Sequence, residues 1–246
     1  MGQRANPYGL RVGINKQHQS VWYAKTAKEY ARLVKQDYDI RFLINKRFNK
    51  ASVSGVVITR TNQLCVTIHA KLVGHIIGKK GVIIDQLRKD LENLCGEEVT
   101  INVQEIAKPD TDAMVVANEI ALALQAKGAG FKMVIKRAMQ ATMDAGALGI
   151  KILLSGRLGG AEIARKEPFA TGSVPLQTLQ ADISFGMATS FTAAGTIGVK
   201  VFIFNGMYRG KFNPFANMTD RFSQKANEKI SRINEELDKN AIAHND

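Results

Sequence analysis

The chain has 246 residues and a mass of 27.0 kDa, and its 34 Lys and Arg against 22 Asp and Glu give a formal charge of +12. Hydrophobic residues make up 45% of the chain, which excludes wholesale disorder and supplies enough apolar surface for a folded core. No uncharged apolar run approaches the ~18 residues of a membrane span, and two cysteines are too few for a disulfide framework. We therefore expect a basic globular protein of one or two domains from a reducing compartment.

The positive charge is concentrated in the first half of the chain. Residues 1–110 contain 18 basic and 10 acidic side chains, a net charge of +8, whereas residues 111–206 carry +3 and residues 207–246 carry +1. A basic surface attracts polyanions, and counterion release makes phosphate backbone the usual partner. The alternative is a basic surface that only keeps the protein in solution.

The first half predicts an extended arm followed by alternating helices and strands. Residues 1–20 combine glycines with basic residues and show no helical or alternating pattern, so we expect a basic extended arm. Helical spacing follows over residues 26–36 and again over residues 39–48, and two strands come next. Apolar residues at helical spacing flank a glycine-bracketed turn, and a third strand alternates before a boundary at Pro109.

The second half predicts two helices against a small sheet. Gly128 and Gly130 separate helices expected over residues 111–126 and 131–145. Three strands are then expected, over residues 149–156, 179–194 and 196–206. Beyond residue 206 the chain turns polar, and a stripe at helical spacing predicts a terminal amphipathic helix through Phe222, Ala226, Ile230, Ile233 and Leu237.

The most informative motif is Gly78-Lys79-Lys80-Gly81, which has the GxxG form of a KH domain. The glycines let the backbone approach a phosphate closely, the next helix offers free N–H groups, and the lysines add charge. Such a loop clamps about four nucleotides of single-stranded RNA or DNA. A GxxG motif alone is weak evidence for a KH domain. Here, however, the order helix, two strands, helix, GKKG, helix, strand matches the type II KH arrangement.

We therefore predict an α+β fold, in which a type II KH domain precedes a domain of two helices on a β-sheet. The expected segments are a basic arm over residues 1–20, the KH-containing domain over 21–108, the second domain over 109–206 and a partly helical extension over 207–246.

The sequence lacks the residues that a nucleotide hydrolase or a metal-dependent enzyme would need. In GHIIGKKG, Gly74 and Gly78 enclose three residues rather than the four of a nucleotide-binding loop, and Lys80 stands where a magnesium-binding Ser or Thr is required. The four histidines are scattered, the acids show no metal-ligand spacing, and zinc lacks ligands. We expect no catalytic residue, cofactor, metal or small-molecule substrate.

Several segments resemble one family, small-subunit ribosomal protein three of the bacterial and organellar type. The similarity covers almost all of residues 1–206, and its most specific run is SGRLGGAEIAR. The segments that carry it are MGQRANPYGLRVG at 1–13, Trp22-Tyr23, IGKKG at 77–81, SGRLGGAEIAR at 155–165, VPLQTL at 174–179 and GTIGVKVFIF at 195–204. The resemblance implies a two-domain protein of the small-subunit head, bound to rRNA beside the mRNA entrance, that helps unwind mRNA and has no active site.

The resemblance also implies site residues and partners. The partners are small-subunit rRNA, mRNA and neighbouring head proteins, without a membrane. The implied RNA-binding residues are Gly78, Lys79, Lys80 and Gly81 in the KH loop, Lys132, Lys136 and Arg137 at the mRNA channel, and Gln3, Arg4, Asn6, Arg11 and Lys16 in the rRNA-binding arm. Arg157 and Arg165 are the candidate site residues of the family signature segment.

The helix from Phe131 departs from the family pattern. The loop and the start of this helix read KGAGFKMVIKR at 127–137, where relatives usually read ERRVMFRRAMKR or similar, so Met133 stands where a second arginine is common. Ala170, Ser173 and Gln180 likewise occupy positions that are often arginine. These differences predict that the contacts with mRNA at the entrance are weaker or lie elsewhere on the protein, and the C-terminal tail is a candidate for a compensating contact. Alternatively, Met133 belongs to the core.

The helical spacing also predicts which side of this helix is free. Lys132, Lys136 and Gln140 lie four residues apart on one face with Arg137 beside them. On the opposite side we expect packing against the sheet, by Val134, Ala138 and Ala141.

Two other functions stay open at this point. A free KH regulator predicts tandem KH motifs or an effector domain, and a KH-containing enzyme predicts a nucleotide loop or metal-binding acids. Since no presequence is recognisable, we expect the ribosome of a bacterial cytoplasm, or of an organelle matrix if the protein is made there.

Overall fold

Two four-stranded sheets, each with helices packed on one face, make up the fold. A computed structural model of the chain describes residues 5–48, 53–61, 63–78, 81–126 and 130–208. These residues belong to one compact unit, Met1–Arg209. The arrangement confirms the predicted α+β class.

The first sheet has the strand order β1-β2-β3-β4, with β2 and β3 antiparallel and both outer pairs parallel. From α2 onward the elements follow the predicted order of helix, two strands, two helices and strand. Their bounds are α1 Pro7–Arg11, β1 Ser20–Val21, α2 Ala27–Arg47, β2 Val53–Arg60, β3 Leu64–Ala70, α3 Val73–Ile77, α4 Val82–Cys95 and β4 Val99–Glu105.

Strict alternation decides which face of this sheet is buried. In β3 the residues Leu64, Val66, Ile68 and Ala70 are buried, while those between them are only partly covered, as the sequence predicts. The helices complete the core with fully buried aliphatic side chains, which are Ile40 and Ile44 of α2, Ile76 of α3, and Leu87 and Leu91 of α4. Each such side chain contributes about 1.5–3 kcal/mol of burial free energy.

The second sheet has the order β6-β5-β8-β7, and all its pairs are antiparallel. Its elements follow a 3₁₀ turn at Pro109–Thr111, and a second such turn at Leu158–Gly160 precedes β6. The bounds are α5 Ala113–Gln125, α6 Phe131–Asp144, β5 Gly149–Gly156, β6 Arg165–Gly172, β7 Ala181–Thr192 and β8 Gly195–Met207.

Helix α5 lies unusually close to β7. A Cβ at Gly186 would lie 2.1 Å from the Ala113 carbonyl oxygen, so only glycine allows this approach. The Ala113 N–H donates to Ser184 Oγ at 3.1 Å, and the Asp112 carboxylate caps the helix by accepting from the Met114 N–H at 2.9 Å. These contacts fix α5 as the central helix of the second core.

The predicted break in the first helix, between residues 36 and 39, is wrong. Helix α2 runs through it without interruption, because the polar residue at the expected break is satisfied inside the protein. The buried Asp37 carboxylate accepts from Trp22 Nε1 at 2.8 Å and from the Arg60 guanidinium at 3.1 Å.

Two strands are present that the sequence analysis missed. β6 has the sequence RKEPFATG, whose charges and Pro168 hide any alternation, and as an edge strand it pairs on one side only. The short β1 was also missed. The predicted helix through Phe222 lies outside the described residues, and the three segment limits at residues 20, 108 and 206 stay predictions.

The prediction of an irregular, extended arm is wrong for part of its length. Asn6 and Pro7 form a helix start, since the Asn6 side chain accepts from the Tyr8 N–H at 2.9 Å and proline occupies the first helical position. The resulting helix, α1, ends at Arg11 and places that side chain in the interior of the protein.

Arg11 is fully buried and joins the arm to the second sheet. Its Nε donates to the Ala181 carbonyl at 2.8 Å, and one terminal nitrogen donates to the carbonyls of Leu176 and Thr178 at 3.0 and 2.8 Å. Burial lowers the pKa of the Arg11 guanidinium, and the negative charge of the nearby Asp182 offsets part of this decrease. The arm therefore contacts the protein itself through this residue.

We predict that Arg11→Met destabilises the protein by about 2–4 kcal/mol. The Leu176 carbonyl would lose the donor that Arg11 supplies, and the Ala181 and Thr178 carbonyls would keep only the Asn15 side chain and the Ala181 N–H as donors. Urea unfolding of the full chain measures this free energy. Arg88→Met is the matched control, since Arg88 is exposed on α4 and should change stability by less than about 0.5 kcal/mol. Equal effects of the two variants would contradict the structural role of Arg11.

Candidate nucleic-acid interface

The GxxG segment forms a tight connection between two helices. Gly78 ends α3 with φ of +73° and Gly81 begins α4 with φ of +80°, both in the region that favours glycine. A Cβ at Gly78 would also lie 2.5 Å from two carbon atoms of Ile83. Lys79 and Lys80, between these glycines, lie outside the described residues.

The start of α4 can accept an anion. No side chain caps its first turn among the described residues, so backbone N–H groups are available there, although Asp85 opposes an anion in the same turn. Ile77 and Val82 border the connection and are 39% and 53% exposed. The segment thus combines N–H donors with apolar side chains, which suits a nucleotide strand with unstacked bases.

Helix α6 presents the second basic surface. Lys132, Lys136 and Arg137 are all exposed, and none forms an ion pair with another residue in the described part of the chain. Lys132 Nζ lies 5.9 Å from the centroid of the Phe131 ring. The first turn of the helix contains no acidic residue and no side-chain cap, so its positive end adds to this surface.

Met133 lies on this basic surface and not in the core, because its side chain is 76% exposed. The alternative that Met133 packs inside the protein is therefore wrong. The expected inner face also needs one correction: Val134 and Ala138 pack against the core, but Ala141 is exposed and Ile135 is buried in its place. The basic face of the helix is otherwise as predicted.

The two signature arginines have different surroundings. Arg157 is turned inward, where its Nε donates to the Ala161 carbonyl at 2.8 Å and its terminal nitrogen to the Ala194 carbonyl at 2.9 Å. It holds the turn that follows β5. Arg165 begins β6, is exposed, and pairs with no acid among the described residues. Of the two, Arg165 is the one available to a partner.

The signature turn also touches the basic helix. Gly159 has φ of +66°, and a Cβ there would lie 3.7 Å from the Phe131 ring at the start of α6. The glycine-rich turn therefore packs against the end of α6 that carries Lys132 and Met133.

The arm residues are not brought together as an RNA-binding set. Asn6 caps α1, and Arg11 is buried, so we no longer assign Arg11 to RNA. Lys16 forms an ion pair of 2.7 Å with Asp182. Gln3 and Arg4 lie outside the described residues.

Sequence reasoning missed some basic residues of the second sheet. Without β6 it could not place Arg165 or Lys166 on an edge strand. The position of Lys151 could have been predicted, because this residue lies between the buried Ile150 and Ile152 in the strand and must therefore face away from the helices.

Two further features concern other classes of function. In the ranges that the structure describes, no helix is long and apolar enough to span a bilayer. Nor does the described part of the chain gather three His, Cys, Asp or Glu side chains into a group that could hold a metal ion.

Comparison with known proteins gives matches over most of the chain. A family model described as "KH domain" matches residues 39–111, and one described as "Ribosomal protein S3, C-terminal domain" matches residues 120–203. The chain is 51% identical over 207 residues to the small ribosomal subunit protein uS3 of Nitrobacter winogradskyi, which covers 84% of this chain and 89% of that protein.

Two other relatives agree over the same length. The chain is 47% identical to the small ribosomal subunit protein uS3 of Hyphomonas neptunium, covering 84% of each protein. It is 50% identical to that of Caulobacter vibrioides, covering 84% of this chain and 82% of the relative. With a KH domain in front of an S3 C-terminal domain, and about half of its residues shared with these proteins, the chain belongs to the uS3 family of ribosomal proteins.

Proposed function

We propose that this chain is a structural constituent of the small ribosomal subunit, where it binds rRNA and contributes no catalysis. The observation that carries the proposal is its identity of about 50% over 207 residues to proteins named small ribosomal subunit protein uS3. In a bacterium this function belongs to the cytoplasm, and the partners are small-subunit rRNA and neighbouring proteins of the subunit head.

Sedimentation tests this assignment directly. A tagged copy of the full chain should sediment with the small subunit and its rRNA in a sucrose gradient at low magnesium. Recovery at the top of the gradient, with the small subunit free of the tagged chain, would favour a KH-domain regulator that acts outside the ribosome.

The KH part is proposed to bind a single RNA strand at its GxxG connection. The geometry that supports this is a pair of glycines with positive φ before an uncapped helix, with exposed apolar side chains at Ile77 and Val82. Phosphate would approach the N–H groups of α4, and Lys79 and Lys80 would add charge. The connection reads little sequence, since its donors are backbone groups and lysines.

Helix α6 is proposed to line the mRNA entrance and assist unwinding. Its support is an exposed face with three cations that have no acidic partner among the described residues. Lysines and arginines on such a face hold a passing strand by its phosphates and remain indifferent to its sequence. Unwinding would follow because a strand bound to this face cannot base-pair again with its complementary strand.

We predict that Lys79→Asp with Lys80→Asp weakens binding of a single-stranded RNA oligonucleotide at least about 10-fold at ~0.1 M salt, because two attractive charges become repulsive. Fluorescence anisotropy measures the affinity. The matched control is Arg88→Glu with Lys89→Glu, an exposed pair on α4 with the same change in net charge, which should weaken binding no more than about threefold. Equal losses would mean that net charge, and not the loop, governs binding.

We predict that Lys132→Ala with Lys136→Ala permits subunit assembly but slows translation of structured messages more than of unstructured ones. The lost charges would otherwise hold the strand as it leaves a duplex. Reconstituted translation of paired reporters, with and without a hairpin, measures the difference. Lys132→Arg with Lys136→Arg retains the charge and should behave like the parent.

Met133→Arg extends this test in the opposite direction. Because Met133 is exposed, the added arginine should leave stability unchanged and reduce the delay caused by a hairpin. An equal delay in the parent, the double alanine variant and Met133→Arg would show that the α6 face does not contact mRNA.

A further inference from the structure

The second sheet has a face that the helices do not cover, and it carries cations. α5 and α6 pack against the side chains of Ile150, Ile152 and Leu154 on β5, so the residues between these point to the other side. We call this other side the open face. By strand register its members are Lys151, Leu153 and Ser155 of β5, Lys166, Pro168 and Ala170 of β6, Phe185, Met187, Thr189 and Phe191 of β7, and Thr196, Gly198, Lys200, Phe202 and Phe204 of β8.

Among the residues that the structure describes, other parts of the chain cover only one end of the open face. There Val174 and Leu176 pack with Phe185, Phe202 and Phe204 into a small separate core. The other end lies beyond this core, and its large apolar side chains are exposed.

The uncovered end has charge of one sign. Lys166 and Lys200 are exposed, and Lys151 is partly exposed at the border of the small core. The register places no Asp or Glu among the members of the open face. Glu167 is on the opposite side of β6 by alternation, and Asp182 forms its ion pair with Lys16. These lysines therefore lack an anion within the described part of the protein.

Small residues form a shallow floor between the two exposed lysines. Ser155 pairs with Lys166 on one side and with Gly198 on the other, and Gly198 pairs with Thr189. Lys166 and Lys200 are two strands and two residues apart, so their Cα atoms are separated by about 12 Å. A short stretch of nucleic-acid strand can cross this floor and contact both ammonium groups.

Exposed apolar side chains border the same floor on β7. Met187 is 55% exposed and Phe191 is 64% exposed. A solvent-exposed phenylalanine beside unpaired lysines offers a stacking surface for an unpaired base, while the lysines hold its phosphates. The floor between the lysines also includes Leu153, which pairs with Lys200 and Pro168. The combination of cations, an exposed aromatic ring and a floor without acidic side chains matches RNA better than it matches an acidic protein segment.

We propose that the open face is a second RNA-binding surface, which binds a single-stranded segment through Lys166 and Lys200 and stacks a base on Phe191. The inference rests on the proposed function in that RNA is the partner. The surface is distinct from that of α6, because α6 lies on the opposite face of the sheet. A strand held by α6 would have to cross the edge at β6 to reach the open face, so the two surfaces hold different segments.

Photo-crosslinking of RNA to the full chain, with each crosslinked residue identified, tests the proposal. The probe is a 20-nucleotide oligouridine that contains 4-thiouridine, irradiated over a range of RNA concentrations and then mapped by mass spectrometry. We expect crosslinks between residues 185 and 200, with a half-maximal concentration raised about 5–10-fold by Lys166→Ala with Lys200→Ala. Phe191→Ala should reduce their yield at saturation.

Control variants separate this surface from general electrostatics. Lys28→Ala with Lys35→Ala removes two exposed lysines from α2 and should shift the same crosslinks less than twofold. Lys132→Ala with Lys136→Ala should reduce crosslinks to α6, and it should raise the half-maximal RNA concentration of the open-face crosslinks less than Lys166→Ala with Lys200→Ala does. Circular dichroism and thermal unfolding check that each variant is folded.

The outcomes distinguish the inference from the proposed function. Crosslinks confined to the GxxG connection and α6 would overturn the inference, leave the proposed function standing and assign the open face to a protein neighbour or to solvent. Crosslinks on the open face that are insensitive to Lys166 and Lys200 would also overturn it. A parent chain that binds no RNA by crosslinking or anisotropy would overturn both.

Discussion

Each sheet of this protein buries one face against helices, the second sheet buries only one end of its other face, and this constraint determines where the charges can lie. A cation is costly to bury unless polar groups surround it, so the two cores contain aliphatic side chains and the basic residues collect on helix surfaces and on the uncovered sheet face. Among the residues that the structure describes, Arg11 is the buried cation, and three carbonyls of residues 176–181 together with that of Pro7 compensate for its desolvation. The same distribution that stabilises the fold therefore creates the surfaces that can meet RNA.

Polar contacts join the two sheets into one unit. Lys71, at the end of β3, donates to Glu119 of α5 at 2.5 Å and lies 3.7 Å from Asp110. The hydrogen bond to Glu119 is the largest cause that raises the pKa of Lys71, and it opposes the smaller effect of burial. Ser54 donates to the Asp112 carboxylate at 2.6 Å while that residue caps α5. Since the GxxG connection and helix α6 then belong to one body, an RNA strand bound at one of these proposed surfaces would raise the effective concentration of RNA at the other.

Local patterns could be read from the sequence, and long-range contacts could not. The alternation in β3 and β4, the GxxG connection and the exposed cations of α6 depend on neighbours in the chain, and these were predicted correctly. The continuity of α2 depends on Trp22 and Arg60 reaching Asp37, and the burial of Arg11 depends on carbonyls about 170 residues away. β6 is held by its pairing with β5 and not by its own composition. Contacts between residues far apart in the chain produce no periodic pattern of apolar residues, so they cannot be predicted from a single sequence.

The exposure of Met133 changes how the α6 surface can act. With two lysines and one arginine the helix attracts phosphate, but an apolar side chain stands between Lys132 and Lys136 where the family often has a further cation. A flexible, polarizable thioether contacts aromatic rings favourably, so Met133 can pack against an unpaired base while the lysines hold its phosphates. Contact with a base is available only when that base is unpaired, whereas phosphates are present in duplex and single strand alike. On the proposed mRNA surface, Met133 would therefore lower the overall affinity for RNA while raising the selectivity for the single strand, and the affinity that Met133→Arg restores is the reason why the hairpin delay should shorten.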